Sequence, residues 1–296
     1  MKKLLTLFFA GMLLSFQAVY SEGQTQPPKP PTPPGGMSSM AQSFAGSAMA
    51  NMDKNLEGYT LEDEYYLGRA VAANVLSVYK PYTKNEDLTK YLNKICQVLV
   101  INSSNPVTFN GYHVLVLDSA DFNAFASPGG HIFITRGLVE AAASEDMLAA
   151  LIAHELAHII LKHGIRLIDE MSIFTDAALA AKQGQAMSGS SAANRLMTYR
   201  NSVANLSDAM IKNGYSQVFE FEADREAMKI LAASGYDPAA LLEVLKVLQR
   251  VQGSQRGGFN TTHPSPTDRI VNVETALRNF RVQDTKSFRT GRFKNK

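Results

Sequence analysis

MLAALIAHELAHIILKHG, residues 147–164, is an apolar run with two histidines and a glutamate at its centre. On a helix, side chains four apart lie one above the other. His154 and His158 can therefore point two imidazoles at a single atom, a geometry that suits a metal ion. Polar groups at apolar positions demand partners. Ser144 stands where an N-cap is expected and Gly164 where the helix should stop. A hydrolytic zinc needs three protein ligands and an open position for water, whose pKa the metal lowers to about 7. His154 and His158 supply two ligands, and Glu155 projects beside them as a general base.

The third ligand decides the branch. In a metzincin, glycine and histidine recur at fixed places downstream; here those places hold Leu161 and Gly164, and His163 is one residue off. That branch is excluded, and the candidate third ligand is a carboxylate further along. QVFEFEADREAM, residues 217–228, offers two rows on a helix, Glu220 with Asp224 and Glu222 with Glu226. One row can face the metal helix, while acids so crowded also suit a solvated face. The residues alone leave Glu220 and Glu222 open as the ligand. Arg225 and Arg269 are candidate partners of the acidic helix.

Working outward, Leu61, Tyr65, Leu67, Val71, Val75 and Val78 recur at helical spacing, with Pro81 closing that helix. A second helix spans Glu86 to Ile101, with Leu88, Leu92, Ile95 and Leu99 as its inner stripe. GYHVLVLDSA and GGHIFITRG read as strands. Between them, Pro128, Gly129 and Gly130 mark a tight turn. GLVEAAA and nearly everything after it read as helical through Phe280. Residues 165–215, rich in Ala, Ser, Met and Gly, read either as a mobile helical insertion over the site or as loosely packed surface helices. His113, His131 and His163 are assigned to structure, with His131 the one nearest to substrate. The expected class is α+β, mostly helical, with a small sheet against the metal helix and the acidic helix closing the other side.

The chain has 296 residues, 45% hydrophobic and 19% charged, an ordinary globular composition with material for a proper core. Its formal net charge is +2, and VQDTKSFRTGRFKNK at the end carries five Lys/Arg against one Asp. The rest is near −2, so no broad basic face for nucleic acid is expected. Lys2 and Lys3 precede an apolar stretch from Leu4 to Phe16, with Val19 and Ser21 at positions suited to signal peptidase. This is the pattern of a secretory signal, too short for a comfortable membrane span. PPKPPTPPGG, residues 27–36, opens a tether that cannot make a core. Cys96 is the only cysteine, so no internal disulfide is available and the residue reads as a buried small hydrophobe. The layout is a signal over 1–21, a Pro-rich tether over 22–55, one domain over 56–282 and a basic tail over 283–296.

NAFASPGGHIFITRGL, residues 123–138, then HELAH, then EFEAD at 220–224, resemble in this order the M48 family of zinc metallopeptidases. The resemblance covers roughly residues 61–280 and implies a zincin-like (gluzincin) metallopeptidase domain holding one zinc ion per chain. It places the third ligand on Glu220 and makes Asp224 the acceptor that orients a ligand imidazole. It also implies that the segment containing Asn123, Ala124, Phe125, Gly130 and His131 lines the substrate cleft, where an extended peptide can pair with an edge strand. Ser127 departs from the apolar residue many relatives carry there. HPSPTDR, residues 263–269, is similar to a late His-Pro segment of the family. His263 is thus assigned to the oxyanion or to capping the zinc at rest, although two prolines before a helix also explain the segment. The expected activity is that of an exported zinc endopeptidase, periplasmic or secreted, acting on envelope or misfolded proteins. Peripheral contact with the envelope membrane is among its expected interactions. The rival is an envelope chaperone or assembly factor with a latent zinc site.

Overall fold

The computed structural model describes residues 59–170, 203–204, 207–208, 211–212, 214–251, 258, 262–263, 265–280 and 286–294. The expected signal and tether, and most of the 165–215 region, lie outside the described residues. Helix α1 (Leu61–Val78) opens with a capping box. Thr60 Oγ1 accepts from the Asp63 N–H, and the Asp63 carboxylate accepts from the Thr60 N–H at 3.0 Å. Its apolar stripe buries Leu67, Val71 and Val75, while Leu61 and Val78 at its ends are exposed. Helix α2 (Glu86–Ile101) starts where Asn85 caps the Leu88 N–H, and Leu88, Leu92, Ile95 and Leu99 are buried as the sequence predicts. Cys96 is buried on the same helix, and burial pushes its thiol up to about 12.

The sheet has three strands in the order β1-β3-β2. β1 (His113–Leu117) runs parallel to β3 (His131–Thr135), and β2 (Ala124–Ser127) pairs antiparallel with β3. The middle strand in sequence, β2, is an addition to the two that the sequence suggests. All four of its residues are buried, so no polar-apolar alternation advertises it. Gly129 in the β2–β3 turn has φ +77, and a Cβ there would come within 2.4 Å of the Tyr65 backbone. Only glycine lets the hairpin press this closely on α1.

After α3 (Arg136–Ala141), helix α4 (Glu145–Ile160) begins at Ser144, whose hydroxyl accepts from the Met147 N–H. Residues 145–159 are all buried, which is why the run is apolar all round. α4 packs on β2 and β3 on one side and on α6 (Gln217–Ala233) on the other, with α2 and α7 (Ala239–Arg250) completing its surroundings. The helix does not stop at Gly164. It ends at Ile160, and two residues on Lys162 takes the left-handed conformation at φ +55. For a residue with a Cβ this costs on the order of 1 kcal/mol. Lys162 Nζ donates to the buried Glu64 carboxylate at 2.7 Å, which offsets part of that cost. A new helix, α5 (His163–Glu170), then starts, so Gly164 falls inside it.

Helix α8 (Pro266–Leu277) carries Pro at its first position, where the missing N–H costs nothing. Within the expected basic tail lies another helix, α9 (Lys286–Phe293). Its Arg289 and Arg292 pair with Asp146 and Glu145 at the start of α4, so two of the tail's cations are engaged by the protein itself. Among the described residues, no helix is long and apolar enough to cross a membrane.

Candidate metal centre

α4 brings His154 and His158 onto one face, with their Nε2 atoms 3.1 Å apart. α6, packed along α4, adds Glu220, whose oxygens lie 3.5 Å from His154 Nε2 and 3.4 Å from His158 Nε2. The loop before α8 adds His263, with Nδ1 3.0 Å from Glu220 Oε1 and 3.4 Å from His154 Nε2. All four residues are buried, and their ligand atoms lie within 4.8 Å of one another. Two donors bound tetrahedrally at about 2.0–2.1 Å from zinc sit about 3.3 Å apart. The separations of 3.0–3.5 Å between these neighbouring atoms are close to that length, so the residues fit the ion.

The outward atoms set the proton positions. His154 Nδ1 lies 3.1 Å from Asp224 Oδ1, so this ring donates to the carboxylate and turns the Nε2 lone pair toward the cluster. Arg269 clamps the acids from behind. Nε and Nη2 reach Asp224 at 2.8 and 2.6 Å, and Nη1 lies 2.6 Å from Glu220 Oε2. Burial and Arg269 press the His154 pKa down, but Asp224 and Glu220 outweigh them and lift it to about 9. The Glu220 carboxyl, despite burial, is held well below the usual range by His263 and Arg269. The acids thus stay ionised and favour positive charge at this point.

Glu155 differs from its neighbours. It is fully buried, and neither carboxylate oxygen has a hydrogen-bond partner among the described residues; His263 Nε2 stands 3.6 Å from Oε1. Burial raises its pKa, as suits a group that takes up and gives back a proton.

Glu222 faces away from this cluster. It accepts from Arg166 at 2.6 Å and lies 3.1 Å from His163 Nε2, so of the two acidic rows it is Glu220's that lies against His154 and His158. Arg269 pairs with the acidic helix, while Arg225 is exposed. The expected cleft residues divide. Asn123 Oδ1 accepts from Thr262 Oγ1 at 3.0 Å, tying β2 to the His263 loop, and Ala124 follows it at the start of the strand. Phe125 packs into a core cluster with Val75, Leu117 and Phe133. Gly130 lies against the Gly111 backbone, and His131 rings with Tyr65 and His113, so neither joins the four donors. Burial lowers the His131 pKa to about 3. Ser127 is buried and donates to the Gly68 carbonyl.

Two contributors escaped the sequence reading. Tyr215 stacks on His158 at 4.1 Å, and the preceding Gly214 lies so close to Thr262 that a Cβ would meet its carbonyl at 2.0 Å. His163, assigned to structure, has Nδ1 2.8 Å from His158 Nδ1. In a continuous helix it would point well away from His158; only the break at Lys162 returns it.

A buried helix presenting His-Glu-x-x-His, met by a glutamate from a second helix, defines a metallopeptidase of the zincin type. The chain belongs to peptidase family M48, whose model matches residues 86–277. It is similar to the beta-barrel assembly-enhancing protease of Escherichia coli (strain K12), 27% identical over 216 residues, 70% of this chain and 43% of that protein. It is also similar to the mitochondrial metalloendopeptidase OMA1 of Saccharomyces cerevisiae (strain ATCC 204508 / S288c), 29% identical over 174 residues, 56% of this chain and 46% of that protein. A putative beta-barrel assembly-enhancing protease of Vibrio cholerae serotype O1 is 28% identical over 227 residues, 75% and 45% respectively. The chain spans less than half the length of these curated relatives.

Proposed function

We propose that this protein is an exported zinc endopeptidase that cleaves envelope or misfolded proteins. The observation that carries the reading is the convergence of the buried His154, His158, Glu220 and His263 donors, with Glu155 beside them. Bound zinc supplies Lewis acidity, polarising the scissile carbonyl and acidifying the attacking water. Glu155 takes the water's proton and passes it to the leaving amine. Asp224 and Arg269 hold His154 and Glu220 in place, so the donors need not reorganise during turnover.

His263 would be a fourth donor, whereas catalytic zinc sites keep one position open. His263 would serve either as the donor to the oxyanion or as the cap on the ion at rest. The same placement favours the second reading, an envelope assembly factor whose zinc site is latent. Export rests on Lys2, Lys3 and the apolar Leu4–Phe16 stretch, with residues 1–21 as signal, 22–55 as tether, 56–282 as the domain and 283–296 as a basic end that touches the membrane peripherally. The near-zero net charge supports protein substrates over nucleic acid.

The test is casein degradation by the purified chain, with metal analysis alongside. We expect one zinc per chain and cleavage abolished by a chelator and restored by zinc. Zinc without cleavage would select the latent reading, and properly folded protein that takes up no zinc would end both.

A further inference from the structure

Behind His158 lies a chain of contacts that the proposed mechanism leaves unused. His158 turns Nε2 toward Glu220 and His154, and its Nδ1 sits 2.8 Å from His163 Nδ1. His163 Nε2 lies 3.1 Å from Glu222 Oε2, to which Arg166 Nη1 also donates at 2.6 Å. The His163 ring is fixed by stacking on Phe219, 4.5 Å between centroids and 4° from parallel. Phe219 and Glu222 flank Glu220 on α6, so one helical turn supports the carboxylate ligand and this chain together.

The protons on this chain can be counted. An ionised carboxylate only accepts, so the contact with Glu222 requires a hydrogen on His163 Nε2. A neutral imidazole carries one N–H, so His163 Nδ1 accepts. The hydrogen between the two rings then belongs to His158 Nδ1, which leaves the His158 Nε2 lone pair directed into the cluster. The opposite assignment sets a lone pair of His163 against the carboxylate and puts an N–H where a ligand is needed. We propose that Glu222 and His163 are positioning residues, a relay that fixes the tautomer of His158 in its metal-ligating form. The proposal rests on the metal-centre reading above. His154 meets its carboxylate, Asp224, directly, whereas His158 meets Glu222 through one intervening ring.

The experiment titrates the metal-free full chain with Zn2+ against a competing chelator and follows thermal unfolding of the same metal-free samples. His163→Phe keeps the stacked ring but removes both nitrogens, and zinc affinity should fall about 10–100-fold. His163→Asn sets an amide oxygen near the place of Nδ1 and should recover most of that loss. Glu222→Leu, at a partly exposed position, should weaken zinc binding while the metal-free protein still unfolds cooperatively. Imidazole 15N spectra of the wild type should show His163 protonated at Nε2 and lose that preference in Glu222→Leu, a readout that survives if His163→Phe does not fold. Wild-type zinc binding with equal affinity in His163→Phe and Glu222→Leu, or His163 protonated at Nδ1 in the wild type, overturns the relay alone. Absence of zinc binding by the wild type overturns the metal reading and the relay with it.

Discussion

The two ends of α4 hold buried acids in opposite conditions. At the N-terminal end Glu145 accepts from Tyr91 at 2.6 Å, Tyr236 at 2.9 Å and Arg292 at 2.7 Å. Asp146 beside it accepts from Arg289 at 2.9 and 2.7 Å and from the Asp237 N–H. Toward the C-terminal end Glu155 has no hydrogen-bond partner among the described residues, and imidazole lone pairs converge. Both ends suit the helix dipole, acids at the start and a cation site near the finish. The difference is that one network is complete within the protein, while the other leaves the buried Glu155 carboxylate without a hydrogen-bond partner among the described residues. A buried polar group left without a partner calls for a role beyond packing.

The largest expected effect breaks the functional end. Glu155→Gln should lower casein cleavage by about 10²–10⁴-fold while zinc content and unfolding temperature hold. Wild-type rates in that variant would remove Glu155 as proton carrier and, with it, the contrast. At the structural end, Arg289→Ala strands the buried Asp146, and urea unfolding should show a loss of about 3–5 kcal/mol with zinc affinity unaltered. A fall in zinc affinity of the same size would mean the two ends are coupled through the helix.

The smallest effect depends on pH. Burial would raise the Glu145 carboxyl, but Arg292, Tyr91 and Tyr236 outweigh it and hold its pKa below the ordinary value. Its stabilisation is therefore complete above the unfolded pKa of about 4.3 and is lost as pH falls through the lower folded value. In thermal scans the advantage of the wild type over Glu145→Gln should be constant at neutral pH and shrink only in that acid range. An advantage that grew on acidification would reverse the sign assigned to this pair.

Much of the site was legible because its signals are local. The four-residue spacing in HELAH fixes a shared face, Ser144 caps where its side-chain chemistry says it should, and the stripe of α2 is inside along its length. The chemistry of residues 220–226 offered two rows, and only packing of α6 on α4 separates the Glu220 row from the Glu222 row. What stayed hidden depends on tertiary context. A lysine, not the nearby glycine, took the left-handed position that ends α4, and Glu64 from α1 holds its ammonium. That reversal alone turns His163 onto His158. β2 is buried on both faces and lacks a period, and α9 reads as a solvated tail until its arginines meet Glu145 and Asp146.

The lone Cys96 gives the molecule a clock. Its sulfur is sealed beneath α2, and so high a thiol pKa leaves almost no thiolate to react. Alkylating reagents can label it only when that part of the interior opens, so the labelling rate reads out local opening on a single site, with no disulfide exchange to confuse it and no engineered probe.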